Sequence, residues 1–362
     1  MNPKLIINLG KLHHNAKFLA DLCHKNGVTL TAVTKVFCAD QRMVSELLRA
    51  GGGVDYLADS RLENIASYPL DNCCERVLLR LPSPQAAADV VCGSDISLVS
   101  EMATLQALAE QTALYKKVHG VILMIDLGDL REGIYHTETS KIIEICDFII
   151  KQPYLRLKGI GTNLTCYGSV IPNKQNMEIL CEIAEKIENK YGINDIMVSG
   201  GNSSSLNMLA EGRLPKKVNN LRLGESIVCG LETAYGKPFA GLQQDVVTLQ
   251  ATIIEIAKKP SMPEGETNIN AFGESVAYED KGEHLRGILA IGRQDTNHEG
   301  LTPLDKGVSI IGASSDHLIV EITNSTPKKV GDTLDFSLSY GAILAGFTSR
   351  YVDREYIASN DV

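Results

Sequence analysis

The chain of 362 residues has no apolar run long enough to cross a bilayer: its longest, VILMI at 121–125, is only strand-sized. The opening MNPKLIINLGKLHHN has neither the apolar core nor the small-residue cleavage site of a signal peptide, so cytoplasmic residence is expected and no membrane is. Basic residues never cluster beyond pairs such as Lys216 with Lys217 or Lys328 with Lys329, and the formal charge is −9, which excludes nucleic acid as a partner. No Cys-x-x-Cys pair occurs among the nine cysteines, and adjacent Cys73 and Cys74 are poorly placed to bridge each other. The thiols are expected to be reduced and mostly buried. Two phosphate-binding signatures are also missing. No G-x-x-x-x-G-K-[S/T] loop exists, and Gly159-Ile160-Gly161 lacks the third glycine of a dinucleotide fingerprint. What remains is an ordinary globular composition, and the expected partner is a small molecule.

From residue 28 to about 230, short apolar runs alternate with helix-like segments. Strands are predicted at 30–34, 55–58, 76–81, 96–99, 121–126, 157–162, 196–199 and 221–223, each rich in Val, Ile and Leu without polar alternation, as strands buried on both faces are. Between them, stretches such as 42–50, 101–115, 139–150 and 174–191 repeat apolar residues at spacings of three and four. Gly51 to Gly53, Gly192 and Gly212 read as helix stops. Eight such repeats predict a closed (β/α)8 barrel over 1–234, with an open doubly wound sheet as the alternative. Beyond Tyr235 helical periodicity disappears. Runs at 246–256, 285–291, 318–322 and 333–337 follow one another across turns, which predicts a mostly β domain over 235–362, with 258–267 (KKPSMPEGET) an exposed loop.

In a barrel the active site lies at the C-terminal ends of the strands. The first strand ends at Lys35, where burial would disfavour the charged amine and suit it to imine formation. A lysine reaching out to solvent from a strand end is the plain alternative. The fifth strand is followed by Asp126 and Arg131, and the sixth ends at Asn163. The seventh runs into GGNSSS, a turn whose N–H groups and hydroxyls suit a phosphate or simply cap a helix. The eighth holds Arg222 and ends at Gly224; a carboxylate partner is the ordinary expectation for a buried arginine.

These segments, in this order, resemble the alanine-racemase-like enzymes that use pyridoxal 5′-phosphate, a family with a barrel followed by a β domain. IINLGKLHHN resembles the family's first strand and helix. AVTK resembles its Schiff-base segment, which implies that Lys35 carries the cofactor. IDLGDLREGI resembles the D-x-G-x-x-R-x-G segment and implies that Arg131 approaches the cofactor's phenolic oxygen. GGNSSS implies that Asn202, Ser203 and Ser204 lie near the phosphate. LRLGES implies that Arg222 bonds the pyridine nitrogen while Gly224 and Glu225 offer N–H groups to the phosphate. The resemblance also implies a homodimer with shared active sites.

The departures are informative. Ala39 stands where the family has a tyrosine, Asn163 where it has a histidine on the cofactor side, and Arg293 in AIGRQDT where it has a catalytic tyrosine. TNLTCYG, AIGRQD and SSDH instead resemble the ornithine and lysine racemases of the family. That branch implies an amino-acid substrate with a basic side chain, interconverted between L and D forms. Cys166 or Tyr167 is the expected second proton-transfer group beside Lys35. Arg293 is the expected partner of the substrate carboxylate or else an exposed ion pair, and Asp316 of a distal ammonium or else a turn residue. Alanine or broad-specificity racemisation, a D-amino-acid lyase and a non-catalytic cofactor carrier remain as alternatives. The lyase ranks lower because His284, His298, His317 and Cys229 show no H-x-C spacing.

Overall fold

The computed structural model describes residues 2–49, 53–69, 74–275 and 277–358; the expectations at Gly51, Gly52 and Cys73 lie outside the described residues. The chain divides into two units, one of residues 10–244 and one of residues 1–9 with 245–362. The first strand, β1 (Lys4–Asn8), belongs to the second of these.

Within 10–244, eight parallel strands close on themselves: β2 (Thr29–Val33), β3 (Tyr56–Asp59), β4 (Glu75–Leu78), β5 (Ile96–Val99), β6 (His119–Asp126), β8 (Leu155–Gly161), β9 (Met197–Ser199) and β10 (Asn220–Leu223), with β10 pairing back to β2. The two-residue β7 (Ile134–Tyr135) lies beside the end of β6. Every residue of β5, β6 and β10 is buried; β6 accordingly runs apolar from Val121 to Ile125, whereas β10 (Asn-Leu-Arg-Leu) buries polar Asn220 and Arg222 inside the barrel. Ala58, Val77, Ile96, Leu98, Ile122 and Met124 pack together as one apolar cluster. The helix Lys174–Tyr191 begins at Asn173, whose side chain accepts from Asn176 N, and ends at left-handed Gly192. A small hairpin, β11 (Leu231–Glu232) with β12 (Lys237–Pro238), follows the last barrel strand. All eight predicted strands are present, with ends shifted by one or two residues at most positions.

The second unit is a sheet of eight strands. The path β15 (Leu301–Pro303), β18 (Thr333–Leu338), β13 (Val247–Pro260), β14 (Glu283–Leu289), β17 (Leu318–Glu321) and β16 (Ser309–Ala313) is antiparallel. The strand β1 joins it antiparallel to β13 and parallel to β19 (Asp353–Ile357). Three readings are corrected here. The barrel unit runs ten residues past the boundary expected at 234/235, and β1 pairs with the sheet, because its partners are more than 230 residues away in sequence. Lys258 to Pro260 continue β13 opposite Leu285, His284 and Glu283, so the exposed loop starts later than 258. A helix, Tyr340–Thr348, interrupts the expected run of strands; it is started by Ser339 Oγ accepting from Ala342 N at 3.3 Å. Its sequence YGAILAGFT is apolar on nearly every face, so it shows no helical periodicity.

Candidate active site

Lys35 opens a single 3-10 turn, Lys35–Phe37, directly after β2, and Cys38 and Ala39 then turn the chain through left-handed φ of 50° and 51°. The residue beneath it is firmly held. Thr34 is fully buried and its hydroxyl donates to Asp59 Oδ2 at 2.6 Å, with Tyr68 OH 2.9 Å away. Asp59 is also buried and accepts from Arg61 N and Asn64 Nδ2, both at 3.0 Å. The lysine stem therefore rises from a rigid base, while its Nζ has no hydrogen bond or ion pair among the described residues.

Arg222 lies inside the barrel, 4% exposed. It donates to Ser199 Oγ, to Thr162 O at 2.5 Å and to Asn163 Oδ1 at 2.7 Å. No carboxylate touches it among the described residues, which corrects the ordinary expectation of an ion pair. Burial pushes its guanidinium down to about 10. A guanidinium has five N–H donors, so donors remain for a further acceptor. Gly161 makes room for it: a Cβ there would lie 3.3 Å from Arg222 Nη1. Ser199 in turn donates to Asn220 Oδ1 at 2.6 Å, and Asn220 donates to Thr31 Oγ1 at 2.9 Å.

Asn163 links the two arginines. Its Nδ2 donates to Glu132, and Glu132 also receives Arg131 through Nε and, at 2.6 Å, through Nη2. Burial lowers the Arg131 guanidinium, but the hydrogen bond to Glu132 together with the charges of Cys166, Glu132 and Asp129 outweighs it and the net shift is upward. The sequence analysis named Arg131, Asn163 and Arg222 separately and missed Glu132, the carboxylate that joins them.

The turn after β9 approaches the same mouth. Gly201 is left-handed at φ 103°, and Asn202 Oδ1 accepts from Ser204 N at 2.9 Å. The Ser203 hydroxyl is 3.0 Å from Ser226 Oγ and accepts from Ser226 N at 3.2 Å, tying this turn to the short helix Glu225–Cys229 after β10. Among the described residues, Ser204 Oγ is buried without a hydrogen-bond partner, and so is Thr162 Oγ1. Gly224 admits no side chain, because a Cβ would come within 2.9 Å of Val33 Cβ and 3.0 Å of Val33 O. Burial raises the Glu225 carboxyl, opposed by the charge of Lys35.

Cys166 and Tyr167 lie on the loop between β8 and the helix Lys174–Tyr191. Cys166 Sγ receives Asn202 Nδ2 at 3.3 Å. The residue is exposed overall, yet burial of its thiol raises the pKa, opposed by the charges of Arg131 and Lys35. Tyr167 is 73% exposed. In the second unit, Arg293 donates to Glu274 through Nη1 and Nη2, both at 2.7 Å, and to Ala313 O at 3.0 Å, with its guanidinium 4.1 Å from the Phe272 ring centre. This is the ion pair that the sequence analysis held as the alternative role. Asp316 sits in the exposed turn between β16 and β17, accepting from Gln294 Nε2 and Ser315 Oγ. Arg293 N and Gln294 N donate to Ser314 O and Ser315 O, so AIGRQD and SSDH, far apart in sequence, form one cluster.

A closed (β/α)8 barrel with a lysine, a buried arginine and a hydroxyl-lined turn at the strand ends defines a barrel enzyme. The family model for the alanine racemase N-terminal domain matches residues 7–231, and the chain belongs to that family. It is 46% identical to the ornithine racemase of Acetoanaerobium sticklandii over 358 residues, 99% of this chain and 100% of that one. It is 36% identical to the lysine racemase of Thermotoga maritima over 355 residues, 98% of each chain. Among solved structures, the alanine racemase of Streptomyces coelicolor A3(2) matches with a TM-score of 0.76 at 16% identity, covering 98% of both chains. The alanine racemase of Bartonella henselae, solved with covalently bound pyridoxal phosphate, matches with a TM-score of 0.73 at 18% identity, covering 99% of this chain and 100% of that one.

Proposed function

We propose that this chain is a pyridoxal-phosphate-dependent racemase that interconverts L- and D-ornithine or a similar basic amino acid. The observation that carries this reading is the full-length similarity to ornithine racemase at 46% identity. The mouth residues fit the cofactor on two independent counts. Arg222 is buried against neutral acceptors with donors to spare, which suits a ring nitrogen. Ser204 Oγ is a buried hydroxyl without a partner among the described residues, which suits a phosphate.

Lys35 would hold the group as a Schiff base, with Asn202, Ser203, Ser204 and the N–H groups of Gly224 and Glu225 around the phosphate, Arg131 near the phenolic oxygen, and Asn163 steering both arginines. When bound, pyridoxal phosphate supplies an electron-withdrawing ring that acidifies the Cα hydrogen of an attached amino acid. Arg222 keeps its own proton even at a pKa of about 10, so it would donate to the ring nitrogen without protonating it. That would weaken the withdrawal and favour return of a proton to Cα over other fates. Lys35 Nζ moves the proton on one face of Cα. One amine cannot reach both faces, so a second group is required. Both residues are exposed, and Cys166 fits that role better than Tyr167 because its Sγ accepts from Asn202 Nδ2 of the turn at the barrel mouth. Burial keeps Cys166 a thiol at neutral pH, so it starts as the proton donor opposite an accepting amine.

Asp316 is the proposed partner of the distal ammonium, because a basic side chain leaving water needs a paired acceptor. Arg293, engaged with Glu274, is carried as a supporting residue of the same cluster. The reading includes a homodimer with shared sites, which sedimentation of the purified protein checks, and cytoplasmic residence, which fractionation checks. The decisive assay incubates the protein with pyridoxal phosphate and a panel of L-amino acids and follows the D forms by chiral chromatography. Ornithine or lysine should turn over fastest, and Asp316→Ala should slow these while sparing neutral substrates. A preference for alanine would overturn the substrate class.

A further inference from the structure

Asp129 lies two residues before Arg131 and is 1% exposed; among the described residues its carboxylate takes no side-chain partner and its hydrogen bonding goes to the backbone of one loop. Its Oδ1 accepts from Thr165 N at 3.0 Å and Val170 N at 3.1 Å. Its Oδ2 accepts from Tyr167 N at 2.9 Å and Cys166 N at 3.3 Å. Its own carbonyl accepts from Gly168 N at 3.0 Å. The loop so held is irregular: Thr165 and Ser169 are left-handed, at φ 62° and 56°. Such a backbone persists only where its surroundings over-determine it. Gly168 is part of the lock, because a Cβ there would lie 2.6 Å from Asp129 O.

Only an ionised carboxylate can accept four N–H groups and donate none. An amide in its place would turn an NH2 toward two of those N–H groups and leave them unsatisfied. The loop that this carboxylate holds carries Cys166, whose Sγ is also met by Asn202 Nδ2. We infer that Asp129 is a positioning residue for the reaction: its carboxylate clamps the backbone of 165–170 so that Cys166 is held against the face of the substrate opposite Lys35. This rests on the reading of Cys166 as the second proton-transfer group.

The test compares holoenzyme of the wild type, Asp129→Asn and Cys166→Ser. In the wild type, the amides of 165–168 and 170 should exchange with deuterium slowly, although the loop has no regular secondary structure. In Asp129→Asn they should exchange at least roughly tenfold faster, Cys166 should be alkylated by iodoacetamide faster and with a changed pH profile, and kcat should fall about tenfold or more with KM and bound cofactor unchanged. Fast exchange of these amides in the wild type would overturn the clamp even if the variant did not fold. So would an Asp129→Asn protein with unaltered exchange, or one whose loosened loop left kcat intact. If Cys166→Ser racemises like wild type, the role of Cys166 fails on its own, and the exchange data still judge whether Asp129 holds the loop.

Discussion

At the N-terminal ends of the barrel strands, Arg76 gives Nε and Nη2 to the two oxygens of Asp95 at 2.9 and 3.0 Å, Lys158 meets Glu75 at 2.7 Å, and His24 Nε2 lies 2.9 Å from Asp55. His119 lies 2.9 Å from Ser97 Oγ, and only its Nδ1 is left over. At the C-terminal ends the same kinds of groups are unfinished among the described residues: Arg222 has donors to spare, Ser204 Oγ and Thr162 Oγ1 are buried without partners, and Lys35 is unpaired. One end closes its polar groups on themselves and contributes stability. The other leaves hydrogen-bonding capacity unspent, which costs stability unless something else completes it. A site for a small charged molecule needs that imbalance.

The largest effect should come from breaking the mouth at its centre. Arg222→Ala leaves Thr162 O and Asn163 Oδ1 without their donor, at about 1–3 kcal/mol each, and removes the group beside the ring; kcat/KM should fall by roughly 100-fold or more. Activity within a few fold of wild type would show that Arg222 does not face the reacting ligand. Ser204→Ala separates the two ends more finely. Its hydroxyl bonds none of the described residues, so the apo protein should melt no earlier than wild type, whereas the affinity for pyridoxal phosphate should drop about tenfold. A lower apo melting temperature with unchanged cofactor affinity would make Ser204 structural.

The smallest effect on function belongs to the closed end. Burial drives the His119 imidazole down to about 4 from 6.5. Between those values the unfolded chain binds a proton that the folded chain refuses. Stability from the neutral ring is therefore fully present above pH 6.5 and is lost as the pH falls toward 4, of order 3 kcal/mol in total. His119→Asn should flatten this acid limb in melting experiments while leaving kcat at neutral pH within twofold, because His119 lies at the end of the barrel away from Lys35 and Arg222. An unchanged acid limb would mean that His119 is not the titrating group.

Much of the barrel was legible in the sequence because a strand buried on both faces, such as β6, is a continuous apolar run whatever its neighbours do. Lys35 and Arg222 were legible for the same reason, as charges at the ends of such runs. Their partners were not. Glu132 reads as an ordinary acidic residue until the loop after β6 folds back to Asn163, and Asp129 reads as a turn aspartate until residues 165–170 arrive from the next strand. Glu274, which engages Arg293, lies 19 residues before it in a stretch without periodicity. The helix Tyr340–Thr348 hid because it is apolar on nearly every face, and β1 because pairing with β13 is a long-range contact that no local pattern signals.

The central claim is that Lys35 is the residue that the open end of the barrel was left unfinished to serve. Borohydride reduction of the holoenzyme followed by peptide mapping tests it directly. The account predicts one pyridoxyl group per chain, on Lys35, in the peptide carrying Ala32, Val33 and Thr34. A pyridoxyl group on any other lysine would contradict it.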